Sequence, residues 1–221
     1  MKRIVLFLAI MCAAVCLFAQ VQLPEHQFAS GQWSFVGSRL FQNDAKAGLA
    51  KMNLRAPQSG AMIYEFNVRY VDGLQDGHGG FGLHVFVDNA YNGRSWGAGK
   101  SYLLWLNYDE KPVTRGFIPG FSAQIYKSLT NSYMELVQSF DLNWVFDVFS
   151  PADILYYAMY ETVPVKIWIN GDTGEVRVYD PSTPALDYYF YFFIDKKDLP
   201  LRGNWVALRT NGVKLSFGLG L

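Results

Sequence analysis

Residues 97–101, GAGKS, have the residue types of a phosphate-binding loop, in which glycine amides, a lysine and a hydroxyl group hold phosphate oxygens. That loop requires a further glycine five positions before Gly99, and this position holds Arg94. It also requires a helix after the serine, whereas the residues that follow, YLLWLNYD, have the pattern of a strand. The sequence therefore predicts a glycine-hinged loop that enters a strand, and no nucleotide site.

The three histidines are the next candidates for chemistry. His78 and His84 are six residues apart, with Asp76 and Asp88 beside them, so their spacing differs from the i, i+4 pair that places two imidazoles on one helix face. His26 lies near the predicted start of the mature chain. We expect His84 to be a hydrogen-bonded histidine within a strand and not a zinc ligand.

Several Asp and Asn side chains offer oxygen ligands, so a calcium site is an alternative to a protein without a cofactor. Asp88, Asn89, Asn92 and Asp109 stand at the ends of predicted strands, where some β-sandwich proteins hold calcium at a rim. No fixed ligand spacing is present, and Asp and Asn also occur in turns for backbone reasons alone. The sequence predicts no metal or cofactor ligand set.

Carboxylates could in principle form the acid and base pair of a glycosidase. The candidates are Glu65, Asp88, Asp109, Glu110 and Asp180. No Gly-x-Ser-x-Gly motif is present, and both cysteines, Cys12 and Cys16, lie in the segment predicted to be removed. We therefore expect a protein that is not an enzyme, with no catalytic residues.

Aromatic residues around the Gly-rich loop indicate an interaction surface instead. The predicted rim consists of Trp96, Tyr91, Asn92, Asp88 and Tyr102. Aromatic rings with polar neighbours can stack on sugars, and Trp96, before the loop glycines, is the ring expected to be most exposed. Trp105 and Tyr108 belong to the same group of rings near the loop. Alternate residues of a strand face the core, so about half of these rings would serve packing.

The first nineteen residues predict export. Residues 1–19 combine a basic start, an apolar run too short to span a membrane, and a small residue at the end, as secretory signal peptides do. An acylated cysteine within this leader is the alternative. The whole chain carries 19 basic and 19 acidic residues, so removal of Lys2 and Arg3 leaves a net charge of about −2. This balance favours neither nucleic acid nor an anionic membrane as a partner.

The mature residues 20–221 predict a single all-β domain. Aromatic residues make up 17% of the chain, and residues 61–71 have a clear period-two pattern with one apolar and one largely polar face. Eleven to thirteen short strands are expected, with hairpins at Asn170–Gly174 and at Asn211-Gly212, and one short helix at residues 150–161. Such strands must pack as antiparallel sheets, which predicts a two-sheet jelly-roll sandwich.

Four segments together resemble the smaller class of spirochaete flagellar filament outer-layer proteins. They are GQWSFVGSRLFQ (31–42), YEFNVRYVDGLQDGHGGFGLHVFVDN (64–89), SWGAGKSYLLWLNYDEKP (95–112) and NWVALRTNGVKLSFG (204–218). The resemblance implies a sandwich similar to those of concanavalin and laminin-G, and a periplasmic location. It also implies a non-enzymatic role in coating the flagellar filament for motility, with flagellin or other sheath subunits as partners. It assigns no functional residue.

Three hypotheses about function follow. The first is a structural protein of the periplasmic flagellar filament. The second is a secreted carbohydrate-binding sandwich that uses the rim around Trp96, and the third is a sandwich glycosidase.

Overall fold

Two antiparallel β-sheets make up the described part of the chain, which a computed structural model places at residues 23–74, 76–114, 117–143, 162–179 and 189–220. The predicted signal peptide and the predicted helix at residues 150–161 lie outside these residues. Within them, one turn of 3-10 helix covers Lys196–Asp198. No helix in these ranges has the length and apolar character needed to cross a membrane.

Fourteen strands are present in the described ranges, each bounded by turns or loops. They are β1 (His26–Ser30), β2 (Trp33–Val36), β3 (Arg39–Gln42), β4 (Ala50–Gln58), β5 (Ala61–Gly73), β6 (His78–Val87), β7 (Ser101–Asp109), β8 (Gly120–Ser128), β9 (Met134–Asp141), β10 (Val163–Asn170), β11 (Glu175–Tyr179), β12 (Tyr189–Phe193), β13 (Gly203–Asn211) and β14 (Val213–Gly218).

The strands form two seven-stranded sheets. Sheet A has the order β1-β4-β13-β6-β7-β8-β9, and sheet B has the order β12-β11-β10-β5-β14-β3-β2. Every pairing is antiparallel. The predicted all-β sandwich is confirmed.

One predicted hairpin is wrong. The strands β13 and β14 meet at Asn211-Gly212, but β13 pairs with β4 and β6 in sheet A, while β14 pairs with β3 and β5 in sheet B. Both edges of β13 are occupied, so β14 has no free edge to pair with. Gly212, with φ +62°, turns the chain from one sheet into the other. By contrast, the predicted hairpin between β10 and β11 is present.

Strand β1 was missed by the sequence reasoning. Its five residues, HQFAS, lack an alternating apolar pattern, and they form a strand because the edge of β4 offers hydrogen-bonding groups to it. The His26 ring packs near the rings of Phe28 and Phe35, with centroids 5.2 and 5.1 Å away. Long-range pairing therefore determines this strand.

The core lies between the sheets. Phe217 on β14 is fully buried, and its ring centroid lies 6.2 to 6.3 Å from those of Trp33, Phe66 and Phe81. Sheet A contributes alternate residues to the same cluster, such as Met52. The intervening residues of sheet A must point away from the core, because successive side chains of a strand face opposite sides. They form the outer face of sheet A.

Candidate functional site

The outer face of sheet A is covered in part by residues 88–100, the loop between β6 and β7. Lys51 on β4 donates from Nζ to Ser95 Oγ and to the Gly97 carbonyl, the latter at 3.1 Å. Arg209 on β13 donates from Nη1 to the Trp96 carbonyl at 2.6 Å. Two buried cations of the sheet thus hold the backbone of this 88–100 loop in place.

The GAGKS segment uses its backbone amides inside the protein. The four consecutive N–H groups of residues 97–100 donate to Asn131, Ser128 and Asp88 at 2.8 to 3.1 Å. A side chain at Gly97 would overlap the Thr130 carbonyl, since an added Cβ would lie 2.1 Å from its oxygen. All four amides are occupied by hydrogen bonds within the protein, so they do not form a cradle for phosphate.

An aromatic pocket opens beside this loop on the outer face of sheet A, with a volume of about 290 Å³. Its main walls are Trp96, Trp105, Tyr126, Tyr133, Met134 and Arg209, and Ser132 and Asn211 add polar groups. Trp96 and Tyr133 project from loops and are 56% and 55% exposed, whereas Trp105 on β7 is buried. Two rings from loops and two rings from strands of sheet A therefore line the pocket together with one arginine.

Glycines of β6 make room for the floor of the pocket. Trp105 is paired across the sheet with Gly82, and an added Cβ at Gly82 would lie 2.9 Å from the Trp105 ring. An added Cβ at Gly80 would lie 2.8 Å from the same ring. Gly82 is also paired with Arg209 on β13, so this glycine lies between Trp105 and Arg209 across the sheet. The missing side chains allow the indole to lie flat on the sheet, close to the guanidinium.

Arg209 lies between two indole rings. Its guanidinium carbon is 5.2 Å from the centroid of the Trp96 ring and 5.3 Å from that of Trp105, which is the range of cation–π attraction. Its side chain is almost entirely removed from solvent. Burial lowers the pKa of Arg209 to about 10, so the side chain stays charged at neutral pH.

Two other ionisable groups lie under the 88–100 loop. Burial and, secondarily, the charge of Arg209 lower the pKa of Lys51 to about 8. His84 on β6 is fully buried, and its Nδ1 lies 3.0 Å from Ser101 Oγ. Burial, then Arg209 and Lys51, hold the pKa of His84 well below its usual value, so this ring is neutral at physiological pH. As predicted, His84 is a hydrogen-bonded histidine of a strand.

Four of the five predicted rim residues lie on the 88–100 loop. Trp96 lines the pocket, and Tyr91 and Asn92 are exposed on the same loop. Asp88 Oδ1 accepts hydrogen bonds from the amides of Asn89 and Lys100, so it stabilises the base of the loop.

Tyr102 was wrongly assigned to the rim. Its ring is buried in the core between the sheets, because it alternates with the outward-facing residues of β7. Its hydroxyl group donates to Asp198 Oδ2 at 2.5 Å.

Asp109 lies far from the other proposed oxygen ligands for calcium, which stand on the 88–100 loop. Asp88 pairs with Lys100 just before the start of β7, and Asp109 is the last residue of that strand, so the two carboxylates stand roughly 25 Å apart. His78 and His84 are likewise separated along β6, by roughly 20 Å. Across the described ranges, no three His, Cys, Asp or Glu side chains come together as metal ligands.

The carboxylates considered for glycoside hydrolysis are also dispersed. Glu65 lies on the outside of sheet B, where its Oε1 is 3.4 Å from Lys166 Nζ. Glu110 follows Asp109 at the far end of β7 and accepts a hydrogen bond from Tyr108. Asp180 lies outside the described residues. Among the described residues, those that line the pocket include no carboxylate.

The sequence reasoning missed most of the pocket, including Tyr126, Tyr133, Met134 and Arg209, and it named Trp105 among the nearby rings without deciding which side of its strand it faces. A signal was present in β6, where Gly80 and Gly82 alternate on one face. Glycine within a strand often marks the close approach of another group. Here that group is the Trp105 ring.

Comparisons with known proteins support the fold described above. No protein-family model and no curated protein matches the sequence. Among solved structures, the chain is similar to a carbohydrate-binding module from Bacillus subtilis, with 14% identity, 89% of this chain and 93% of that chain covered, and a TM-score of 0.53.

Two lectin-like domains are similar to the same extent. The potassium-bound carbohydrate recognition domain of Emp46p has 14% identity, coverage of 87% and 83%, and a TM-score of 0.54. A legume lectin-like domain from Entamoeba histolytica has 10% identity, coverage of 87% and 84%, and a TM-score of 0.52. The chain has a lectin-like β-sandwich fold.

Proposed function

We propose that this protein is a non-catalytic carbohydrate-binding β-sandwich protein whose ligand occupies the aromatic pocket. The observation that carries the proposal is the grouping of two indoles and two phenols around a buried arginine on an accessible sheet face. The structural similarity to carbohydrate-binding and lectin-like domains supports it, because those proteins share the sandwich.

The chemistry of the pocket suits a saccharide. The C–H groups on the face of a sugar ring pack against aromatic rings, and hydroxyl groups need hydrogen-bonding partners at the edge. Trp96 and Tyr133 supply exposed ring surface, while Ser132, Asn211 and Arg209 supply polar atoms. A volume of about 290 Å³ is at the lower end of the range for ligand pockets, so it fits one or two sugar residues and not a long chain.

The positions of the described carboxylates support a binding role without catalysis. Glycoside hydrolysis by the usual mechanisms needs two carboxyl groups within ~5 to 10 Å of each other, on either side of the scissile bond. The described residues of the pocket include none, and Glu65, Asp88 and Asp109 stand on different parts of the sandwich.

Substitution of Trp96 tests the proposal. Trp96→Ala removes an exposed ring but keeps the backbone carbonyl that Arg209 bonds, so the fold should persist. We expect glycan-array binding by the wild-type protein and a loss of about 2 kcal/mol, or roughly 30-fold in affinity, in the variant.

The matched control is Trp168→Ala. Trp168 lies on β10 of sheet B, where it also stacks with an arginine, at 4.6 Å from its ring centroid. This variant should bind like the wild-type protein. Absence of glycan binding by wild-type protein, or equal binding by the Trp96 and Trp168 variants, would contradict the proposal.

Export to the periplasm and association with the flagellar filament stay predictions of the sequence. A glycan site on the sandwich is compatible with both, because a filament protein that carries glycans could be held through the pocket. Washed filaments from cells that express the wild-type protein or the Trp96 variant provide the test. Retention of the wild-type protein alone would support attachment through the pocket, and absence of both from the filaments would contradict a role there.

A further inference from the structure

Arg209 is a buried cation that has no acidic partner in the part of the chain that the structure describes. Among the described residues, no carboxylate lies within 4.0 Å of its guanidinium, although six other ion pairs are present. Buried charges in proteins are nearly always paired, because removal of an ion from water is costly. The charge of Arg209 is therefore an exception that calls for a physical reason.

The surroundings of Arg209 increase this imbalance of charge. Lys51, its neighbour across the β4–β13 pair, is also buried and positive, and no carboxylate contributes to the pKa of either side chain. His84 is neutral and adds no negative charge. The outer face of sheet A thus holds two neighbouring cations, of which Arg209 lines the aromatic pocket, without compensation from the described residues.

The hydrogen bonds of the guanidinium leave one nitrogen for a ligand. Nη1 donates to the Trp96 carbonyl at 2.6 Å and contacts Met134 Sδ at 3.8 Å, and Nε is buried without a partner. Nη2 makes no hydrogen bond to the described residues. Unlike Nε, it is not completely buried, so part of its surface is accessible to solvent. Because Arg209 lines the pocket, Nη2 can reach a group bound there.

We propose that the saccharide bound in the aromatic pocket carries an anionic substituent, and that Arg209 donates to this group from Nη2. The proposal rests on the proposed carbohydrate-binding function and specifies its ligand class. An anion would supply the counter-charge that the described residues do not. The indoles of Trp96 and Trp105 hold the guanidinium in position on either side, so little ordering is needed when the anion binds.

Two kinds of anionic sugar share this chemistry, namely a sugar carboxylate and a sugar sulfate ester. Both present negatively charged oxygens to an N–H donor, and hydrogen bonds to charged partners are roughly twice as strong as neutral ones. A test of the proposal therefore needs both carboxylated and sulfated glycans, each compared with the same glycan without the charged group.

A glycan array with matched neutral, carboxylated and sulfated oligosaccharides tests the proposal on the wild-type protein. Binding to the best glycans is then measured by titration calorimetry against the counterpart that lacks the charged group. We expect the anionic member of a pair to bind about 10- to 100-fold more tightly. The preference for carboxylate or sulfate identifies the substituent, and either result supports the proposal.

The failures of the two proposals are distinguishable. Equal binding of neutral and anionic partners would overturn the assignment of an anionic ligand while leaving the carbohydrate-binding function intact. Binding to no glycan at all would overturn the carbohydrate-binding function itself. These measurements use wild-type protein, so they do not depend on the folding of a variant.

Substitution of Arg209 tests its own role. Arg209→Met should remove the preference for the anionic glycan and leave the weaker binding of its neutral counterpart. The control is Arg55→Met, because Arg55 on β4 is exposed and stacks 5.1 Å from the Trp205 ring on the same face. Loss of the same charge at position 55 should leave the preference unchanged. An undiminished preference in a folded Arg209 variant, or an equal loss in both variants, would refute the role of Arg209.

Discussion

The stability of the folded protein should rise with pH because of Lys51. This side chain is 1% exposed, and its Nζ is held by Ser95 and Gly97 of the 88–100 loop, with the ring of Tyr91 at 5.7 Å. Burial, and then the charge of Arg209, lower the pKa of Lys51 from 10.5 to about 8.

The direction of the effect follows from proton binding. Between about pH 8 and pH 10.5 the unfolded chain keeps a proton on Lys51 that the folded protein has released, so a rise in pH favours the folded state. The shift from 10.5 to about 8, at 1.36 kcal/mol per pH unit, corresponds to about 3 kcal/mol. Below pH 8 this contribution to the free energy of unfolding is lost, because Lys51 is then protonated in the folded state and forms a poorly solvated cation.

Urea denaturation at pH 7 and pH 10 measures the effect. Lys51→Met has a similar length and no charge, so it should lack the contribution of about 2 to 3 kcal/mol that the wild-type protein gains between these pH values. The control, Lys46→Met, replaces an exposed lysine and should follow the wild-type protein. Parallel changes in the free energy of unfolding for wild type and Lys51→Met would refute the assignment of a buried, destabilised cation.

Two further predictions concern the core and the floor of the pocket. Tyr102→Phe should lower the free energy of unfolding by about 1.5 to 3 kcal/mol in urea, because it removes a part-buried hydrogen bond to the Asp198 carboxylate. Tyr91→Phe, which removes the hydroxyl of an exposed tyrosine, should change the free energy of unfolding by less than about 0.5 kcal/mol. Equal stability of the two variants would contradict the first prediction. Gly82→Ala should destabilise the protein by about 1 to 3 kcal/mol and weaken glycan binding, because the added Cβ would lie 2.3 Å from the Leu104 carbonyl oxygen and 2.9 Å from the Trp105 ring. Gly48→Ala, whose Cβ meets the flexible end of Arg94, is its control, and unchanged thermal unfolding and glycan binding of the Gly82 variant would show that the indole does not need this space.

Local patterns were sufficient to predict most of the strands. The alternation in residues 61–71 lies within β5, and the predicted bounds of β7 and β11 agree with the structure. These patterns are readable because each strand repeats its environment every second residue. The exposure of Trp96 could also be anticipated, since it precedes glycines in a turn-rich loop.

Other assignments required contacts that no local pattern records. Asn211-Gly212 is a strong hairpin signal, but the pairing of β13 with β4 and β6 makes it a connection between sheets. The side of β7 that carries Tyr102 depends on which face meets sheet B. A strand with large apolar residues on both faces does not reveal this in its sequence.

The amino-acid sequence by itself determined the class of fold, through strand-length patterns and turn residues, and it excluded a phosphate-binding loop through the spacing of its glycines. Only the tertiary structure assembled the pocket, because Trp96, Trp105, Tyr126 and Arg209 come from positions spread over more than half of the chain. The same is true of the charge of Arg209, which no described carboxylate compensates. Whether a cation has a counter-ion depends on which side chains the fold brings within a few ångströms of it, and this is a property of the packed sheets.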